Sequence, residues 1–167
     1  MEDRPGIQPT PLERVGYLGL WWMIIGLPVM IIGLRVVTDN FGMITILFLL
    51  VGPIGFIVTQ LVMALVAKAG STAWSKPAIS TRTAIASLVY YGCWAVLALS
   101  ADDVQGDNIT NPSVQQVPSQ SLISRVIGSD ASRFLAIGVF FIGALALLTT
   151  FVLILVDARL KARRAGA

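Results

Sequence analysis

"FLAIGVFFIGALALLTTFVLILV", residues 134–156, runs for 23 residues without a charged side chain. As an α-helix it is about 35 Å long, against a bilayer hydrocarbon core of roughly 30 Å. It offers no polar face to water, so lipid or protein has to cover it on all sides. Three more charge-free runs precede it, Val15–Leu34, Asn40–Ala67 and Thr83–Ala101, and each is long enough to cross. Hydrophobic residues make up 56% of the 167-residue chain and charged residues 13%, at a mean hydropathy of +0.80. Few water-soluble domains have that balance. The chain reads as an all-α integral membrane protein whose four transmembrane helices form two antiparallel hairpins. The spans fall near 15–36, 41–67, 83–101 and 134–157. An outer loop (102–133) and a basic tail (158–167) complete a single membrane domain, 1–167.

Working outward from the spans, the polar, Pro-rich "MEDRPGIQPTPLER" at 1–14 lacks a small-residue cleavage site after the first apolar run. That predicts a first span retained in the mature chain. "TPLE" at 10–13 predicts the helix start: Thr10 caps, Pro11 suits the first turn, and Glu13 reaches back to the cap. Trp21 and Trp22 suit a headgroup level. Arg35 is expected to snorkel at the far end and meet Asp39. The turn "TDNFG" (38–42) is too short for anything but an antiparallel hairpin. The second run has 28 uncharged residues, about 42 Å as a helix, so part of it must bend or protrude. Pro53, flanked by Gly52 and Gly55, and Pro28 beside Gly26 are the candidate kinks.

Lys and Arg accumulate at cytoplasmic ends of spans. Arg4, Arg14, Lys68, Lys76, Arg82, Arg159, Lys161, Arg163 and Arg164 lie on one face, against Arg35, Arg125 and Arg133 on the other. Both termini are therefore expected in the cytoplasm, in a cytoplasmic membrane, with 102–133 outside. The positive charge is spread over three membrane-proximal segments, which argues against a nucleic-acid partner and for attraction of anionic lipid at the basic tail.

The chain has no histidine, which removes histidine-ligated haem and copper, the Ser-His-Asp triad and the commonest general base. The single Cys93 excludes an intrachain disulfide. No GxGxxG, Walker loop, HExxH or CxxC occurs, and the charge-free runs hold no carboxylate for ion coupling. No catalytic, cofactor-binding or metal-ligating residue is expected, and no cofactor bound by this chain alone. Asp102, Asp103 and Asp107 resemble a cation cluster but lack the rest of a calcium loop. Asn108–Thr110 is a glycosylation sequon, with meaning only in a eukaryotic secretory pathway. Thr45, Thr59, Gln60, Thr149 and Thr150 are the polar side chains of spans two and four, suited first to helix–helix bonding. Gln60 can also hydrogen-bond a quinone or lipid carbonyl. Tyr90, Tyr91 and Trp94 suit helix packing or a ring-bearing cofactor.

Two sets of residues suggest contacts. Gly19, Gly26 and Gly33 recur every seven residues on one stripe of span one, as a packing face. In "VPSQSLISRVIGSD" (117–130), Leu122, Ile123, Val126 and Ile127 share one side of a short helix near 120–128, started by Ser119 or Ser121 and ended by Gly128. So short a helix needs a surface, either lipid or a partner.

These features predict a noncatalytic accessory or assembly subunit of a larger membrane complex. In overall character the chain resembles the small accessory subunits of actinobacterial respiratory supercomplexes, in which cytochrome bc joins cytochrome oxidase. Four spans, cytoplasmic termini, an outer loop and an Arg/Ala/Val/Gly-rich, Lys-poor composition carry the resemblance. It implies cytochrome bc and oxidase subunits as partners, stabilised by a chain that binds no metal. Two other readings stand beside it: a homo-oligomeric transporter or channel, with a polar path past Thr59 and Gln60 opened at Pro28 and Pro53, and a cell-envelope scaffold.

Overall fold

The computed structural model describes residues 8–40, 42–71, 77–105 and 117–165. It is an all-α membrane bundle. Helices α1 (Pro11–Val37), α2 (Met43–Ser71), α3 (Thr81–Ser100) and α5 (Ser129–Ala165) are the long elements, and α4 (Leu122–Ile127) is a short one before α5. All four long helices contain a stretch apolar and long enough to cross a membrane. Between α3 and α4, β1 (Asp103–Gln105) and β2 (Val117–Ser119) pair antiparallel, Asp103 opposite Ser119, and tie the two ends of the loop together.

The local signals explain most of the ends. At α1 the Thr10 hydroxyl accepts from the Glu13 N–H at 3.4 Å while Glu13 Oε2 accepts from the Thr10 N–H at 2.8 Å, the reciprocal cap that "TPLE" predicts. Ser80 caps α3 and Ser121 caps α4 by the one-way bond, each side chain accepting from an N–H three residues on. Both candidate kink prolines lie inside continuous helices, Pro28 in α1 and Pro53 in α2. Some ends run past the expected spans, α2 to Ser71 and the fourth helix at both ends. The fourth helix begins at Ser129, five residues before Phe134, and continues through the basic segment to Ala165. A charge-free run marks only what lipid can cover, whereas Asp130 in the first turn and the basic residues near the last suit the helix dipole, and the helix extends past both ends of that run.

The helices form a four-sided ring. α1 packs on α2 and α3, and α5 packs on the same two, while the diagonal pairs α1/α5 and α2/α3 make no close backbone approach among the described residues. α3 is the most buried of the four and α2 the least. One apolar cluster, including Tyr17, Leu20, Met63, Ala64, Ala84 and Ile154, fills the half nearer the termini. A second, with Leu27, Ile31, Tyr90, Tyr91, Ala98 and Ala146, fills the half nearer the loop.

The tightest seam is α1 against α3. A Cβ on Gly16 would sit 2.6 Å from Ala84 Cβ and 3.0 Å from Ile79 Cδ1, so only glycine fits. The predicted stripe is not this seam. Gly19 would meet only Tyr91 at 3.9 Å, Gly26 only Met23 of its own helix, and Gly33 nothing within 4 Å. Span one therefore uses its glycine at 16 for internal packing and leaves those at 26 and 33 open.

Candidate functional site

Polar side chains gather inside the bundle at three levels, and α3 supplies some at each. Thr83, Ser87, Tyr90 and Tyr91 are buried and Trp94 half-buried at the three-to-four-residue spacing that keeps them on one side of the helix, and Ser100 is buried at its end.

At the end nearer the termini, Glu13 is buried. Its Oε1 accepts from the Thr81 hydroxyl at 2.8 Å, and Ile79 N–H donates to its backbone carbonyl at 3.4 Å. Thr83 donates its hydroxyl to Asp157 Oδ2 at 3.0 Å and lies 2.8 Å from the Ser80 hydroxyl. Two carboxylates from α1 and α5 thus close on the N-terminus of α3, where the unpaired N–H groups and the helix dipole favour negative charge. Glu13→Ala is expected to cost about 1–2 kcal/mol through the lost cap and the orphaned Thr81 hydroxyl. Thermal unfolding in detergent would read this as a lowered midpoint, with exposed Arg14→Ala as the neutral control.

At the opposite end the C-terminal carbonyls of α3 need donors, since lipid offers none. Ser100 O accepts from Ser132 Oγ at 2.6 Å and from Ser121 Oγ at 3.0 Å, and Ala101 O accepts from buried Asn40 Nδ2 at 2.7 Å. Asp102 Oδ1 accepts from the Ser121 N–H at 2.8 Å. Arg125 of α4 reaches the carbonyls of Gln120 and Thr38 at 3.1 and 3.4 Å. The loop is therefore latched to three helices. Arg35 does not snorkel: it is buried, and its Nε donates to Thr45 Oγ1 at 2.6 Å, while Asp39 is exposed in a left-handed turn at φ 55°. An inward guanidinium ties the end of α1 to the first turn of α2 from inside, which an outward one cannot do.

This latch orients α4. Ser121 and Ser124 face the bundle and are buried. Leu122, Val126 and Ile127 face outward, Val126 at 79% exposure, and Ile123 is half-buried between. Of the four apolar residues grouped on one side from the sequence, three remain on the surface; Ile123 turns partly in. Gly128, at φ 89°, ends α4 and lets α5 start one residue later, a conformation that L side chains rarely adopt.

The middle level lies on the bundle axis. Gln60 of α2 and Tyr91 of α3 meet across the diagonal, the Tyr91 hydroxyl donating to Gln60 Oε1 at 3.3 Å. Phe56 packs edge-on against Trp94 at 4.6 Å, Phe48 packs on Phe56 at 5.5 Å, and Tyr90 lies 5.4 Å from Tyr91 and 6.4 Å from Trp94. Gln60 is fully buried. Its Nε2 and Trp94 Nε1 both face the Tyr90 hydroxyl, whose oxygen is the nearby acceptor for each.

Of the other polar residues in spans two and four, buried Thr150 bonds back to Ala146 O at 2.8 Å and exposed Thr149 faces outward. Trp22 is exposed and Trp21 half-buried at the level of the Tyr17 cluster. Among the described residues no group of three or more Cys, Asp or Glu comes together that could hold a metal ion. Asp107, the sequon at 108–110, Arg4 and Lys76 lie outside the described residues, as do the side chains of Asp103, Lys161, Arg163 and Arg164.

A hydropathy reading misses the serine latch, because Ser100, Ser121 and Ser132 look like ordinary loop polarity. The repeated three-to-four spacing on α3 was the available signal for the inner stripe. No protein-family model, curated protein or solved structure matches this chain.

Proposed function

We propose that the chain is a noncatalytic accessory or assembly subunit of a larger membrane complex. The observation that carries this reading is the attitude of α4. Bonds from Ser121 to Asp102, Ser100 and Ser132 and from Arg125 to Thr38 hold a six-residue helix whose Ser121 and Ser124 face its own bundle and whose Leu122, Val126 and Ile127 face away. An outward apolar side at the membrane rim has to be covered, by the lipid interface or by a neighbouring subunit, and the latch holds it there in a fixed orientation. This arrangement presents an apolar patch at the rim, suited to clamp a neighbouring subunit. The resemblance noted above supplies the finer reading, in which the neighbours are cytochrome bc and cytochrome oxidase subunits of a respiratory supercomplex.

The Lys/Arg bias supports cytoplasmic termini, with α4 on the outer side of a cytoplasmic membrane. The helical, basic end of α5 then meets the inner leaflet, where each charge near the surface contributes about 1 kcal/mol of attraction to anionic lipid. Catalysis and nucleic-acid binding have no place in this reading.

The clamp is tested by Leu122→Asp with Val126→Asp, both surface positions whose replacement leaves the latch intact. Co-purification of neighbouring subunits after gentle extraction is expected to fall at least about tenfold, since two buried charges at an interface cost several kcal/mol. Unchanged co-purification of a folded variant would remove the clamp and leave α4 to the lipid interface.

A further inference from the structure

We infer that the outward stripe of α1 around Trp22 docks a transmembrane helix of a neighbouring subunit, one that presents a hydrogen-bond acceptor opposite the Trp22 indole. The inference rests on the subunit reading and gives it a second contact, inside the membrane. Val15, Leu18, Trp22, Ile25, Val29 and Val36 are all exposed, at steps of three, four and seven residues that keep them on one side of α1. The indole is the odd member. Its residue type suits a headgroup level, yet the middle of α1 (Pro11–Val37) is residue 24, and Trp22 stands two residues, about 3 Å, from it. The edge of the hydrocarbon is about 15 Å from that middle. At 77% exposure the ring stands clear of its own bundle, and none of the hydrogen bonds among the described residues uses its N–H. An N–H left without an acceptor in hydrocarbon is costly.

The chemistry of the occupant follows from that donor. An indole N–H donates and cannot accept, so the occupant supplies an acceptor. Acyl chains have none, and phospholipid ester carbonyls stay near the interface. A second copy docked through the same stripe would set Trp22 against Trp22, two donors among aliphatic side chains. A helix of another subunit with a Ser, Thr, Asn or Gln side chain at this level meets the requirement.

The stripe also has room for a second backbone. Gly26 and Gly33 follow Trp22 by four and eleven residues and lie on the same side of α1. An added Cβ at Gly33 meets nothing within 4 Å, and at Gly26 only Met23 of the same helix at 3.5 Å. Gly16 packs inside the bundle against Ala84, whereas these two leave a groove that permits close helix approach from outside.

The test extracts the full chain with its native neighbours into lipid-preserving discs and measures the share retained with stoichiometric subunits. Trp22→Phe, which keeps a ring and removes the N–H, is expected to lower retention about fivefold. Gly26→Leu with Gly33→Leu is expected to lower it at least tenfold, to about a tenth of the parent or less. Both variants, purified alone, should unfold at the parent's midpoint, because the altered positions touch no other helix. Val58→Ala, on the exposed side of α2, should change nothing. In native membranes, p-benzoylphenylalanine in place of Val29 should couple to a transmembrane segment of one of the stoichiometric subunits. Parent-like retention in both α1 variants, equal loss in Val58→Ala, or adducts confined to lipid or to a second copy would each overturn the docking face. Retention lost in Leu122→Asp with Val126→Asp but kept in the α1 variants overturns this face and leaves the clamp, whereas recovery of the parent chain alone overturns both.

Discussion

Gly16→Leu is expected to break the bundle. The new side chain would start from a Cβ already 2.6 Å from Ala84 Cβ and 3.0 Å from Ala84 Cα, so no rotamer avoids α3. Relief requires α1 and α3 to separate, and that separation opens the cluster around Tyr17, Leu20 and Ala84. Overpacking of this kind costs about 3 kcal/mol or more. In detergent the unfolding midpoint should fall by roughly 6–12 °C, or the variant should elute as aggregate. Gly33→Leu is the matched control, the same substitution on the same helix with nothing within 4 Å of the added carbon. It should stay within about 0.5 kcal/mol of the parent. Equal loss in both variants would mean that helix α1 does not pack through Gly16.

Removing the serine latch is expected to free α4 while sparing the bundle. Ser121→Ala with Ser132→Ala strips the Ser100 carbonyl of both side-chain donors, at 3.0 and 2.6 Å, and α4 of the cap on its Ser124 N–H at 3.1 Å. At about 1 kcal/mol net for each bond, the local loss is about 2–3 kcal/mol. Hydrogen exchange of the Arg125 and Gly128 amides, which bond within this turn, should accelerate by about 30-fold or more. Amides in the centre of α3 should not change. Ser129→Ala, on an exposed residue beside the latch, should leave exchange as in the parent. If α4 still exchanges slowly in the double variant, the latch does not hold it.

The two experiments also divide what the sequence made legible from what it did not. Four spans were readable because a charge-free run of some 20 residues has one physical outcome in a membrane chain. The α1 cap was readable because "TPLE" contains both halves of a reciprocal bond. The seam at Gly16 was not. A seven-residue glycine period describes one helix, whereas close approach depends on what the other helix places opposite, here Ala84. Arg35 shows a similar limit: its position at a span end allows snorkelling, and only the inward Thr45 decides against it.

α4 shows how far periodicity carries. Three of its four apolar residues share the outward side as the period predicts, with Ile123 turned partly in, and the need for a surface follows from its length. Which side faces the bundle depends on Ser100, 21 residues away from Ser121 in sequence, and on Ser132. The cluster on the bundle axis was visible as separate residues, Gln60 on one helix and Tyr90, Tyr91 and Trp94 on another. That they meet on the axis follows from the diagonal placement of α2 and α3, which no local pattern records.

The central claim is that this chain works as one part of a larger membrane assembly. Extraction of the native membrane into lipid-preserving polymer discs, followed by native mass spectrometry of the particles holding this chain, tests it most directly. The account predicts a stoichiometric complex with other integral membrane subunits, cytochrome bc and oxidase chains among them, which loses this chain when Leu122 and Val126 carry Asp. Recovery of this chain alone, as a defined homo-oligomer, would contradict it.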